Sequence, residues 1–358
     1  MESNNVPLNI LYGISTDGNG HISRARQVIS ALEESGANIT ELFSGSNREP
    51  SFDPELFSNA FYRKGYERSK QDGRVNLFNT VAKNVLALPR LGYEIATFDF
   101  KPYDLVISDF EPISSLGVRF HNIFSDEHIP SIGLANQYAF EQNVPKVPGV
   151  LMNNAHNLAR AKIRMGVHFH HFGLQGILPP LIGNIVASPV EKNKILVYLG
   201  AENIETVTSF LEQHKKYGFH IYSKEVQAPY VQGHMNFKPI SDEEFHKDMQ
   251  DCEGVITNAG FMTSAEALHL GKKLLLKPIS GHPEQHSNAL AMQGLDAAFI
   301  MESFDDCILK EFLKSSAAKR IHYPDVSRRL SDWIMERSYT HETRNDLCSD
   351  LWGQVTYD

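Results

Sequence analysis

The segment Thr16-Asp17-Gly18-Asn19-Gly20-His21 puts a glycine-rich turn directly ahead of an imidazole. Glycines let backbone N–H groups approach an anion, and a helix opening there adds the favourable end of its dipole. An imidazole titrates near neutrality and suits removal of a proton from a hydroxyl. Such a base needs an orienting partner. Asp109, which ends the apolar run Leu105-Val106-Ile107-Ser108, is the candidate. Its alternative role is N-cap of the helix expected over Pro112–Phe120. The turn does not complete a dinucleotide fingerprint. Ser23 stands at the third glycine position, and Phe43-Ser44-Gly45 offers no carboxylate after the second strand.

A second constellation runs from Thr257 to Asn288. An apolar strand ends at Asn258, Gly260 turns the chain, and a helix is expected from about Thr263. Free N–H groups of Met262, Thr263 and Ser264 would point at an anion, with two hydroxyls beside them. Glu266 would repel a phosphate but suits the paired hydroxyls of a ribose; the alternative is a capping-box glutamate. Farther on, Glu284 and Gln285 stand in a polar loop after Lys277-Pro278. A carboxylate beside an amide is well equipped to read sugar hydroxyls.

The elements that must position these groups follow a strand–helix–strand rhythm. Strands are expected at Leu8–Ile14, Asn38–Phe43, Leu105–Ser108 and Ser131–Ala135, with helices at Ser23–Ser35, about Val75–Thr97 and Pro112–Phe120. The rhythm restarts after Leu178-Pro179-Pro180-Leu181-Ile182-Gly183. Strands are then expected at Ile195–Leu199, Phe219–Tyr222, Gly254–Thr257, Leu274–Pro278 and Ala297–Ile300. Helices fall at Ile204–His214, Asp242–Cys252, Thr263–Leu270 and Gln285–Gln293, and residues 322–358 read as helical without a strand partner. The expectation is an α/β protein of two tandem doubly wound Rossmann-like domains, 1–185 and 186–358, facing a central cleft. Ligands of such sheets bind at the carboxyl ends of the strands.

Taken together, the motifs resemble those of the GT-B glycosyltransferases, especially the UDP-dependent plant and bacterial enzymes. Their pattern H-C-G-W-N-S-T-L-E-A-I-x-x-G lies on Asn258 to Gly271 without a gap, matching at Gly260, Glu266, Ala267 and Gly271 and conservatively at Ser264. Asn258 and Met262 depart from it. Pro278 with Glu284-Gln285 is similar to the later P…(D/E)-Q, and Phe237-Lys238-Pro239-Ile240 to W-x-P-Q. Gly18-Asn19-Gly20-His21 resembles the G-x-G-H of the same family and of the peptidoglycan glycosyltransferase that makes lipid II. The resemblance implies that Glu266 binds ribose, and that the backbone from Gly260 to Ser264, with Gly200, lines the diphosphate. Glu284 and Gln285 would hold the donor sugar, and Phe237 would stack on the base. Gly18, Asn19 and Gly20 would form the acceptor-side loop, with His21 deprotonating the acceptor beside Asp109. It further implies inverting transfer from a nucleoside-diphosphate sugar, with no cofactor beyond that co-substrate. The chain has no Asp-x-Asp, in keeping with metal-free chemistry in which helix N-termini stabilise the departing diphosphate.

Composition sets further bounds. Net charge is −9 over 358 residues, which argues against a general nucleic-acid binder. The three cysteines, Cys252, Cys307 and Cys348, fit no metal-ligand spacing and suit a reducing cytoplasm. The first residues carry no signal-peptide pattern, and no run is long and apolar enough to span a bilayer. His168-Phe169-His170-His171 reads as a histidine-rich strand with His168 and His170 on one face, in preference to a metal site. The basic, aromatic stretch Phe61–Lys70 suits a loop for an anionic acceptor, contact with an anionic lipid surface, or solvent. The acceptor (glycan, lipid-linked or small molecule) has no signature. Two other functions share the fold: a sugar-nucleotide 2-epimerase, and a non-catalytic nucleotide-sugar-binding subunit. The His21–Asp109 pair disfavours the second.

Overall fold

The computed structural model describes residues 6–16, 19–45, 59–64, 70–71, 74–75, 77–147, 160–316 and 319–358. The first half forms β1 (Asn9–Ser15), β2 (Asn38–Gly45), β3 (Phe61–Lys64), a small hairpin of β4 (Lys70–Gln71) and β5 (Arg74–Val75), β6 (Leu105–Asp109), β7 (Ser131–Ala135), β8 (Ile163–Val167) and β9 (Ile177–Leu178). Seven of these build a parallel sheet in the order β3-β2-β1-β6-β7-β8-β9. Helices α1 (Asn19–Glu34), α2 (Leu77–Thr97) and α3 (Pro112–Phe124) cover its two faces. Strands of a parallel sheet are buried on both sides, which is why Leu105, Val106 and Ile107 form an unbroken apolar run. In α1, Ala25, Val28, Ile29 and Leu32 recur at helical spacing and are all buried.

The second half repeats the plan. It comprises β10 (Lys194–Tyr198), β11 (Gly218–Tyr222), β12 (Tyr230–Gln232), β13 (Met235–Lys238), β14 (Gly254–Thr257), β15 (Lys273–Leu276) and β16 (Phe299–Ile300). The order is β12-β13-β11-β10-β14-β15-β16, parallel except for β12 on β13. Its helices are α4 (Ile204–Leu211), α5 (Asp242–Asp251), α6 (Phe261–His269), α7 (Pro283–Gly294) and α8 (Asp306–Lys314). Both sheets therefore match the doubly wound expectation, and strand order reverses at β1/β6 and at β10/β14. At such switch points adjacent loops run in opposite directions and leave a crevice.

The chain then returns to the first half. In α9 (Val326–Met335), the Ser331 hydroxyl donates to the Ala31 carbonyl at 3.0 Å. In α10 (His341–Gly353), Trp352 Nε1 donates to the Ile177 carbonyl at 2.7 Å. The C-terminal segment is not purely helical. Ile321–His322 (β17) and Thr356–Tyr357 (β18) pair antiparallel, a contact between distant residues that no local pattern announces. One continuous apolar cluster joins both halves through Ile22, Phe169, Phe261 and Met262.

Candidate active site

His21 lies in the first turn of α1, immediately beyond the carboxyl end of β1, and Asp109 ends the neighbouring β6. The first switch point thus brings them together: His21 Nδ1 is 2.7 Å from Asp109 Oδ1. Both are buried. Asp109 is not the cap of α3. That role falls to Glu111, whose carboxylate accepts from Ile113 N at 2.7 Å and Ser114 N at 2.6 Å, and also from the Ser44 hydroxyl. Asp109 is instead held by Arg24, which donates from Nε to Oδ2 at 2.8 Å and from Nη2 to Oδ1 at 2.5 Å. Burial alone would raise the Asp109 carboxyl. The Arg24 guanidinium and His21 outweigh it and hold the group below its ordinary range, so it is ionised. An ionised carboxylate can only accept, so Nδ1 of His21 carries a proton, and in the neutral ring the lone pair lies on Nε2. The Tyr12 hydroxyl lies in the same buried region with no hydrogen-bond partner among the described residues, and burial, then Asp109, push its pKa far up.

At the second switch point, β14 leads into Asn258. Its Nδ2 donates to the Lys277 carbonyl at 2.9 Å, and its Oδ1 accepts from Ala201 N at 3.3 Å. The Asn258 amide, a candidate nucleotide-side residue by its place in the motif, thus ties together the loops after β10, β14 and β15. Gly260 is the N-cap of α6 with extended backbone and no side-chain cap, so the first N–H groups of the helix keep no intrahelical partner. Space above Gly260 is open: an added Cβ would meet nothing nearer than the Asn258 carbonyl at 3.9 Å. Thr263 is half-buried, while the fully buried Ser264 hydroxyl hydrogen-bonds to no described residue. Glu266 is buried, with Oε1 3.6 Å from His246 Nε2 on α5. Gly200 directly follows Leu199 in the loop after β10, beside the Ala201 N–H that Asn258 holds.

The two switch points face each other. A Cβ on Gly20 would lie 3.7 Å from Met262 Cγ, so the first turns of α1 and α6 are in contact. Met262 is therefore a packing residue between the halves. Glu284, in the first turn of α7, is engaged across the cleft: Oε1 accepts from Asn136 Nδ2 at 2.7 Å and Oε2 from Gln137 Nε2 at 3.2 Å. Gln285 folds back, its Oε1 accepting from Ile279 N at 2.8 Å and closing its own loop. Asn19 is the first residue of α1, and Gly18 lies outside the described residues, as does 65–69 of the basic stretch.

Two expectations are corrected. Phe237 does not offer its ring to a base. It sits inside β13, points into the buried cluster with Val197 and Ile221, is 1% exposed, and stacks on Tyr230 at 4.5 Å between centroids. Strand alternation fixes this, burying Met235 and Phe237 and leaving Asn236 and Lys238 half-exposed. The histidine run is not a strand either, because β8 ends at Val167. His168 is enclosed by the rings of Phe140, Phe169, Phe172 and Phe261, and burial, then His170, push it down to about 3. His170 stacks on His171 and lies tilted against the Trp352 ring. Among the described residues no group of three or more His, Cys, Asp or Glu is placed to hold a metal ion, and no helix is long and apolar enough to cross a membrane. Sequence reading passed over Arg24, Glu111, His246, Asn136 and Gln137. For Arg24 a signal existed: three residues after His21, it shares that helix face.

Residues 8–316 match the family described as Glycosyl transferase family 1. No curated protein matches the chain. Among solved structures, Arabidopsis thaliana UGT89C1 complexed with quercetin superposes with a TM-score of 0.59 at 14% identity, covering 97% of this chain and 100% of that one. The same protein complexed with UDP gives 0.58 at 12%, with the same coverage. The glycosyltransferase SnogD from Streptomyces nogalater gives 0.54 at 14%, covering 97% of this chain and 96% of that one. At these identities the likeness is one of fold, and the fold is GT-B.

Proposed function

The chain belongs to glycosyl transferase family 1, and from that premise we propose that it moves a sugar from a nucleoside-diphosphate sugar, with UDP as the nucleotide, to an acceptor hydroxyl with inversion. The observation that carries this reading is the opposition of two features. A His–Asp pair stands at the first switch point, and an uncapped helix N-terminus at the second, with Gly20 against Met262. His21 Nε2 takes the acceptor proton as the acceptor oxygen attacks the anomeric carbon. The bond from that carbon to the diphosphate oxygen breaks, and the electron pair leaves on the diphosphate. The α6 N–H groups receive that charge, a role for which a divalent ion is not required. Glu266 takes the ribose hydroxyls, with Gly200 and the Gly260–Ser264 backbone along the diphosphate. Glu284 takes a donor-sugar hydroxyl in exchange for its Asn136 and Gln137 partners, and Gln285 keeps that loop closed.

The ligands of the UGT89C1 structures, UDP and quercetin, support UDP as the nucleotide and a small-molecule acceptor. The test is a thermal-shift and calorimetric panel of nucleoside diphosphates and their sugars. A specific ligand at about 100 times its Kd stabilises by about 2.7 kcal/mol. The reading requires one diphosphate nucleotide to stand out; a flat panel, with nucleosides and inorganic diphosphate equally inert, overturns it.

A further inference from the structure

The reaction proposed above leaves Arg24 without a part, although the residue is 1% exposed and carries its charge beside the base. It lies in the second turn of α1, three residues after His21. An apolar residue would fill that space at lower electrostatic cost. What the guanidinium adds is geometry and charge. Its fork engages both Asp109 oxygens, and Nη2 comes within 3.2 Å of His21 Nδ1. A histidine beside a buried, unshielded carboxylate is drawn into the imidazolium form, which cannot accept a proton.

We propose that Arg24 is the positioning residue of the His21 base: it locks the Asp109 carboxylate so that one oxygen meets Nδ1, and it supplies the counter-charge that the carboxylate would otherwise draw from the imidazole. Its catalytic consequence rests on the transferase reading; its effect on the His21 titration does not. The groups facing the trio are few. Tyr12 comes from β1 and Tyr138 from the turn after β7, and burial keeps both hydroxyls protonated. Glu111, at the start of α3, is buried and its carboxyl pushed up, and Glu284 approaches from α7. Burial pulls the Arg24 guanidinium down, but Asp109, with Tyr12 and Glu284 behind it, more than restores it. Arg24 is thus a permanent cation beside the base.

The test follows the His21 ring by NMR pH titration in the ligand-free protein, with His21→Gln for assignment, beside the pH profile of kcat/KM. In Arg24→Gln the His21 midpoint should rise by about 1–3 pH units, and the acid limb of kcat/KM should move with it. Arg24→Lys keeps the charge but not the fork. Its midpoint should stay within about half a unit while kcat falls about tenfold or more at unchanged donor KM. If Arg24→Gln does not fold, Asp109→Asn with Arg24→Gln removes both charges, and its midpoint should return near that of the parent. A midpoint unmoved in Arg24→Gln, or moved equally in Arg24→Lys, overturns the proposal. Midpoints that move as expected in a protein that turns over no donor would support it and sink the transferase reading instead.

Discussion

Replacing Asp109 with Asn tests the buried charge network with little change of shape. The carboxylate accepts from His21 Nδ1, Arg24 Nε and Arg24 Nη2 at 2.7, 2.8 and 2.5 Å, and none of the three residues is more than 6% exposed. Asn keeps one acceptor but leaves the guanidinium buried without a counter-charge. Breaking a buried pair this way costs about 3–5 kcal/mol, against a typical total stability of about 5–15 kcal/mol. The variant should therefore fold but unfold at clearly lower denaturant. The pH dependence has a fixed sign. The folded-state pKa of Asp109 lies below its unfolded value, so its contribution is complete above about pH 4 and is lost as pH falls through the folded value. The gap between parent and variant should thus be full at pH 7 and narrow in acid. Adding Arg24→Gln should recover much of the loss, because the stranded cation is then gone. Turnover should fall about 10²–10⁴-fold, the usual worth of a positioned general base. Guanidinium unfolding at pH 7 and pH 3, with an assay of nucleoside-diphosphate release, measures all of this. A loss below about 1 kcal/mol at pH 7, the scale of a surface pair, would refute the reasoning.

Other outcomes follow from the same geometry. Glu266→Ala should weaken nucleoside-diphosphate binding about 10–100-fold, since hydrogen bonds to a charged group contribute about 1.5–3 kcal/mol. Calorimetry with a 2′,3′-dideoxy nucleotide checks the cause: the parent should discriminate against it and the variant should not. His168 is held neutral, with its pKa near 3, among aromatic rings, whereas the unfolded chain protonates near pH 6.5. Its contribution is therefore lost as pH falls below about 6.5, by about 3 kcal/mol between pH 7 and pH 4. His168→Phe should flatten that part of the stability profile, as unfolding curves at the two pH values will show.

The fold was largely legible because parallel strands buried on both faces read as apolar runs. Leu105–Ile107 and Gly254–Thr257 are instances, each followed by a helix with its own apolar stripe. His21 and Asp109 were legible by position, since switch points place chemistry at strand ends. Arg24 offered only its place three residues after His21, and its carboxylate partner lies 85 positions away, beyond any local spacing. Phe237 misled because an aromatic ahead of a proline resembled a stacking ring, whereas β13 was not read as a strand and its alternation was never applied. Short strands such as β9 and β17 carry too few residues for any period to emerge. Glu284 found its partners, Asn136 and Gln137, across the cleft, where no local spacing reaches.

The central claim is that an imidazole from one half of the molecule acts on a diphosphate donor bound by the other. His21→Ala tests it most directly, read by donor turnover and by nucleoside-diphosphate affinity on the same preparation. Turnover should fall about 10²–10⁴-fold while affinity stays within about twofold, because the α6 N-terminus and Glu266 are untouched. Turnover that survives the change, or affinity that collapses along with it, would contradict the account.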